Sequence, residues 1–209
     1  MKLKQLEGFL ENLEVYKDPK VHLEQYPTTP HIAAHMLYTI DQTFGDIKGY
    51  SIADLGCGCA ILSVGAAMIG SEHVVGFDID ADALEIAQKN LEESELESNV
   101  EFIQCDVKQI DFILTEENLF DIVIMNPPFG TKNNAGVDML FLEKAVKLAK
   151  RSVYSLHKTA TRAHIKKKAR DLNIKMEVIA ELRFNLDASY KFHRRKSIDI
   201  EVDFIRFDV

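Results

Sequence analysis

The run Asn126-Pro127-Pro128-Phe129-Gly130 holds the most specific chemistry in this sequence. An amino nitrogen conjugated with an aromatic ring is a poor nucleophile because its lone pair is delocalised. An enzyme that alkylates such a nitrogen must hold the two N–H protons out of the line of attack. The side-chain oxygen of Asn126 and the main-chain carbonyl of Pro127 are two acceptors suited to those hydrogens, leaving the lone pair aimed at an electrophile. Phe129 would stack on the base, an interaction in the range of about 1–3 kcal/mol. No strong base is needed, since the amine sheds its proton readily once alkylated, and so no catalytic His or Cys is required. Taken alone, the same residues also suit a stiff turn with no chemistry.

A second constellation lies upstream. Asp54-Leu55-Gly56-Cys57-Gly58-Cys59-Ala60 falls where a strand turns into a helix, and its glycines permit positive φ and close approach of a ligand to the backbone. A tight turn without a ligand explains these residues equally well in isolation. About twenty residues on, Gly76-Phe77-Asp78-Ile79-Asp80 ends the next strand, where nucleotide-binding α/β folds place an acid for the ribose hydroxyls. Asp78 suits that role, and Asp80 suits the N-cap of the following helix. A third strand delivers Cys105-Asp106-Val107, with Asp106 placed to accept from an adenine amino group or to serve as an ordinary loop aspartate. A dinucleotide site would ask for one more glycine to complete G-x-G-x-x-G. The turn lacks it, so a nucleoside cofactor fits better than one carrying a pyrophosphate.

These residues need a frame. From residue 51 onward, short β-branched or apolar runs alternate with amphipathic stretches of helical length. The pattern predicts strands at Ser51 to Leu55, His73 to Asp78, Val100 to Gln104, Asp121 to Met125 and Ser152 to Ser155. It predicts helices at Ala60 to Ile69, Ala81 to Glu93, Val137 to Lys150 and Thr161 to Leu172. Such alternation implies a parallel sheet covered on both faces. Two prolines cannot sit in a central strand, so the Asn126 loop must leave this sheet at its edge. Lys175 to Arg183 and Ile198 to Phe207 read as strands joined by a basic loop, an antiparallel hairpin. Upstream, Leu3 to Val15 reads as a helix, followed by a loop with Pro27 and Pro30 and a further helix at Ile32 to Ile40.

The totals set limits. A chain of 209 residues fits one domain, here 1–209. Apolar residues at 46% and charged residues at 28%, without repeats or charge blocks, argue against a disordered or fibrous class. The formal net charge of -8 is awkward for a chain that grips a polyanion by itself. Contact with nucleic acid would fall to local clusters: Lys166, Lys167, Lys168 and Arg170, or Lys191, Arg194, Arg195 and Lys196. Each cluster suits a solvated face as well. Three cysteines fit a reducing compartment better than a disulfide framework. No apolar run approaches the ~20 residues of a membrane span, and no secretory core is evident near the N-terminus.

With these residues in view, the chain resembles the amino-methyltransferases whose motif is Asn/Asp-Pro-Pro-aromatic. More closely, it resembles the methyltransferase-like protein 5 family, through Glu24-Gln25-Tyr26-Pro27-Thr28, the Asp54 to Cys59 turn, Gly76 to Asp80, Asn126-Pro127-Pro128-Phe129-Gly130-Thr131-Lys132 and Tyr190-Lys191-Phe192-His193. The likeness spans nearly the whole chain. It implies a Rossmann-like class I methyltransferase fold, a seven-stranded mostly parallel sheet with a C-terminal antiparallel hairpin and helices on both faces. In that fold residues 1–50 form a helical, cofactor-covering segment and 51–209 the core. It implies methylation of adenine N6 in small-subunit (18S) ribosomal RNA, with S-adenosylmethionine as cofactor and a small zinc-binding activator protein as partner in a heterodimer. The implied location is the nucleus, including the nucleolus, and the cytoplasm, with no membrane and no metal in the chain itself. By the same likeness Gln25, Thr28, Gly56, Cys59, Ile61, Asp78, Asp106 and Val107 contact the cofactor, while Asn126, Pro127, Pro128 and Phe129 hold the adenine. Ala60 departs from the related pattern, which often has glycine there; its methyl would stand near the methionine end of the cofactor.

Other signals point elsewhere. His31 and His35 have the i, i+4 spacing of a metal pair, but with no intervening Glu or third ligand evident from the sequence, the polar face of a helix is the better reading. Cys57 and Cys59 are better read as packing beside a cofactor than as metal ligands. Tyr190-Lys191-Phe192-His193 suits RNA or a half-buried hairpin loop. Two other functions compete. A glutamine-N5 protein methyltransferase meets the same geometric problem with a similar loop. A catalytically silent RNA-binding subunit would keep the fold without the chemistry, though Asn126 and Asp78 are intact.

Overall fold

The structure is a computed structural model that describes residues 1–97, 99–114, 119–130, 134–187 and 197–209. Its strands are β1 (Ser51–Leu55), β2 (His73–Asp78), β3 (Val100–Gln104), β4 (Phe120–Met125), β5 (Ala149–Lys158), β6 (Lys175–Asp187) and β7 (Ser197–Asp208). They make one sheet in the order β3-β2-β1-β4-β5-β7-β6. The first five run parallel, and β7 inserts antiparallel between β5 and β6. This is the mostly parallel sheet with an antiparallel hairpin that the sequence led us to expect.

Its helices are α1 (Leu3–Leu10), α2 (Pro30–Thr39), α3 (Ile61–Ile69), α4 (Ala81–Glu93), α5 (Val137–Leu148) and α6 (Arg162–Asp171). Both faces of the sheet are buried, so its strands read as nearly continuous apolar runs. Alternate residues serve opposite faces. Ile52, Ile122 and Ile124 pack with Leu6, Met36, Leu37 and Leu62 of α1, α2 and α3. Ala53, Val123 and Met125 pack with Leu142 and Ala145 of α5 and Ile165 of α6.

Several boundaries differ from expectation, two elements most of all. α1 stops at Leu10, where the Asn12 side chain donates back to the Gly8 carbonyl, instead of running to Val15. β5 spans ten residues instead of four, because α5 ends at Leu148 and the chain enters the sheet at Ala149 without an intervening loop. Between β1 and β4 the strand order reverses direction. That switch point is where an open α/β sheet leaves a crevice beyond its carboxyl edge.

Candidate active site

The crevice is a cavity of about 170 Å³ at the tips of β1, β2, β3 and β4. Its floor begins with the glycine turn. Gly56 and Cys57 donate their N–H groups to the Phe77 carbonyl at 2.8 and 3.0 Å, tying the turn to the end of β2. Gly58 has φ +53°, and a Cβ there would lie 2.2 Å from the Tyr16 hydroxyl oxygen. Only glycine lets Tyr16 close over the turn. Ala60, the residue in the glycine position of the related pattern, adopts φ +70° and caps α3. Its methyl group is buried with Val64 and Ala87, away from the cavity lining. The departure therefore costs backbone strain, of order 1–2 kcal/mol, instead of crowding a ligand.

Two carboxylates line this floor. Asp54 is fully buried; it accepts a 2.6 Å hydrogen bond from Ser63 Oγ on one oxygen, while Oδ1 has no hydrogen-bond partner among the described residues. Burial lifts its pKa to about 7, against the lowering effect of the Ser63 hydroxyl. Asp78 accepts from Gly58 N at 2.8 Å and Asp80 N at 2.9 Å. Burial raises its pKa, and those N–H groups oppose the rise. Each oxygen keeps a lone pair for a further donor. Burial likewise raises the Cys57 thiol well above its usual range and the Cys59 thiol to about 12, which keeps both neutral.

Asp80 caps α4 through Asp82 N, as its position suggested. It also accepts from Gln25 Nε2 at 2.6 Å and pairs with Lys20. Asp106 caps the short 3-10 turn Val107–Phe112 by accepting from Lys108 N at 2.9 Å. Gln25, Thr28, Gly56, Cys59, Ile61, Asp78, Asp106 and Val107 all line the cavity.

Asn126 and Pro128 line it as well. The Asn126 Nδ2 group donates to Thr28 Oγ1 at 2.9 Å, whereas its Oδ1 is buried without a partner among the described residues. Pro127 and Phe129 are buried behind the cavity wall and are not part of its lining. The Phe129 ring meets Phe184 edge-on at 6.3 Å, and Lys158 Nζ stands 5.7 Å from its centroid. A base stacking on that ring would have to take the place now held by the lysine.

The roof follows α1 in the chain. Leu13, Val15, Tyr16 and Leu23 line the cavity, and the segment that carries them is pinned by Asn90. The Asn90 side chain accepts from Glu14 N at 2.8 Å and donates to the carbonyls of Glu14 and Cys59, both at 2.9 Å. Nothing in the periodicity of α4 distinguished Asn90 from a surface amide. Thr131, Lys132, Tyr190 to His193 and the cluster Lys191, Arg194, Arg195 and Lys196 lie outside the described residues. On α6, Lys166, Lys167 and Arg170 are exposed, and Lys168 pairs with Glu143.

This geometry has recognisable relatives. Residues 46–194 match a family model described as a methyltransferase domain. The Danio rerio protein named rRNA N(6)-adenosine-methyltransferase METTL5 is 59% identical, with 99% of each chain covered. The chain belongs to the METTL5 family of methyltransferases. The Drosophila melanogaster member is 51% identical over 100% of this chain and 97% of its own. A crystal structure of a Pyrococcus horikoshii protein, 33% identical, matches with a TM-score of 0.87 over 100% of this chain and 98% of that one.

Membership and fold imply S-adenosylmethionine as the methyl donor, and the cavity fits that molecule. A buried carboxylate oxygen at Asp54 has no donor among the described residues, and such orphans are rare in a finished core. A cationic, amino-bearing nucleoside supplies donors of that kind.

Proposed function

We propose that this methyltransferase forms N6-methyladenosine at one adenine of small-subunit (18S) ribosomal RNA. It works with a small zinc-binding activator subunit, in the nucleus, including the nucleolus, and in the cytoplasm. The observation that carries the chemistry is Asn126. Thr28 fixes its amide nitrogen, so its oxygen is held ready to accept a hydrogen from an exocyclic amine. The names of the vertebrate and insect relatives support ribosomal RNA as the substrate.

S-adenosylmethionine, when bound, supplies an electrophilic methyl group. Asp78 would accept the ribose hydroxyls, and Asp54 would accept from the polar methionine end. Asn126 Oδ1 and the Pro127 carbonyl would take the two N6 hydrogens, turning the nitrogen lone pair toward the donor. The proton lost from N6 passes to solvent. Tyr16 and Leu13, which line the cavity, would exclude water from above.

Support for a partner comes from charge and surface. The chain carries a net charge of -8, and the open edge strand β3 leads into Phe112, 86% exposed, and Ile113, also exposed. An activator adding its own strand there would cover them.

The test is transfer of a tritiated methyl group to purified small-subunit ribosomal RNA and to release-factor protein, each with and without activator. Label in the RNA, strongest with activator, is the expected result. Label in protein alone would establish a glutamine-N5 enzyme, and no label in either would leave a silent RNA-binding subunit. Nucleoside mass spectrometry of ribosomal RNA from cells lacking the chain should show loss of one N6-methyladenosine.

A further inference from the structure

The histidine pair that the sequence leaves without a third ligand acquires one in the fold. α1 packs along α2 and brings Glu7 against His31, with Oε1 at 2.8 Å from Nδ1. His35 follows one turn later on the same helix, its ring centroid 4.3 Å from that of His31. Ligand atoms of all three residues lie within 4.8 Å of one another. Around a zinc ion with bonds of roughly 2.0–2.1 Å, tetrahedral ligands stand roughly 3.3 Å apart. Both rings and the carboxylate are on surface side chains, so small rotations close the difference without moving the helices.

We propose that Glu7, His31 and His35 form a binding site for a divalent first-row transition ion, with zinc as its natural occupant. Two imidazoles and one carboxylate are borderline ligands that suit zinc, nickel or copper; magnesium and calcium prefer oxygen ligands alone. Water completes the coordination, and the open side chains set the affinity in the micromolar range. The three residues lie outside the methyl-transfer cavity, so the site is structural. An ion there joins α1 to α2, and α2 begins two residues after Thr28, the residue that holds Asn126.

Titration calorimetry of the full chain with zinc chloride tests this. One equivalent should bind, Glu7→Gln and His35→Ala should each weaken binding at least tenfold, and magnesium chloride should give no heat. The melting temperature should rise with zinc in the parent chain and not in the His31→Ala/His35→Ala double variant. Because the side chains are on the surface, the variants should melt as the parent does in the absence of zinc. Zinc binding of equal strength in the variants, or no binding by the parent, overturns the site.

Discussion

The floor and the roof of the cavity are built on opposite principles. The floor consists of strand tips and a glycine turn, and its carboxylates stand where burial works against them: Asp54 and Asp78 are both raised in pKa. The roof, residues 11–29, is fastened by polar side chains at the rim. Asp80 lies only two residues from Asp78, yet its pKa is lowered. Burial alone would raise it, but the hydrogen bonds from Lys20 and Gln25 more than compensate. Before a ligand arrives, the floor therefore costs stability, while the fastenings of the roof hold that segment in place over it. A preorganised site of this kind holds back its hydrogen-bonding capacity for the ligand.

The sharpest break in that contrast is at Asn126, where roof and floor touch. Asn126→Ala removes the acceptor for the target amine and should lower kcat by about 100- to 1000-fold, the scale of losing one preorganised polar contact in an active site. Affinity for S-adenosylmethionine should change little. Thr28→Val leaves the acceptor in place but frees its amide, and should fall between the variant and the parent. Single-turnover methylation with equilibrium binding of the donor separates the two effects.

Gly58 is the next place to force floor against roof. Alanine there must adopt φ near +53° and place its Cβ 2.2 Å from the Tyr16 hydroxyl. Strain of order 1–2 kcal/mol adds to that collision, for an expected loss of about 3 kcal/mol in stability. Tyr16→Phe in the Gly58→Ala background should restore part of it, since the ring carbon beneath the hydroxyl is 3.2 Å away. Urea unfolding of the two single variants and the double variant gives the coupling. Additivity would show that Tyr16 does not rest on the turn.

The floor was far more legible in the sequence than the roof, for a physical reason. β1, β2, β3 and α4 begin and end at the residues that apolar runs and the Asp80 cap indicate. A strand buried on both faces has little freedom in composition, and a cap fixes a helix start. Leu13 prolonged the apolar spacing of α1 beyond its end, because it lines the cavity and packs on the core from outside the helix. Tyr16 stands in an irregular polar stretch with no period to betray it. Asn90 is invisible for a related reason: the two residues its side chain bonds, Cys59 and Glu14, lie 31 and 76 residues away, and no local pattern encodes such contacts. Asn126 was legible through its prolines, whereas the burial of Phe129 against Phe184 was not.

Acidity sharpens the contrast, because the two sets of carboxylates respond oppositely. Asp54 titrates at about 7 in the folded chain, above the ordinary 3.8 of its unfolded form. As pH rises from about 4 to 7, the unfolded chain releases this proton while the folded chain retains it, so stability falls across that window. The ceiling for such a difference is roughly 4 kcal/mol, and water entering an open cavity reduces the expected value to about 2 kcal/mol. Asp54→Asn should flatten the stability profile between pH 4 and 7 while impairing donor binding. Asp80 works the other way: its contribution is present above its ordinary pKa and disappears as pH drops through the lowered value.

The gentlest test concerns the fastening itself. Lys20 pairs with Asp80 and Asp82, and its side chain is one-third exposed. Solvent-screened pairs contribute little to overall stability. Lys20→Met should thus leave the melting temperature nearly unchanged, but the roof needs only a small bias to open. An opened roof admits water and shortens residence, so S-adenosylmethionine should bind about threefold more weakly, chiefly through faster dissociation. Raising salt from low to physiological strength should shrink the difference between parent and variant, because screening removes from the parent what the substitution removes from the variant. A Lys20→Met chain that binds the donor as tightly and releases it as slowly as the parent at low salt would place the closure in Asn90 and Tyr16, making the roof a packed extension of the floor.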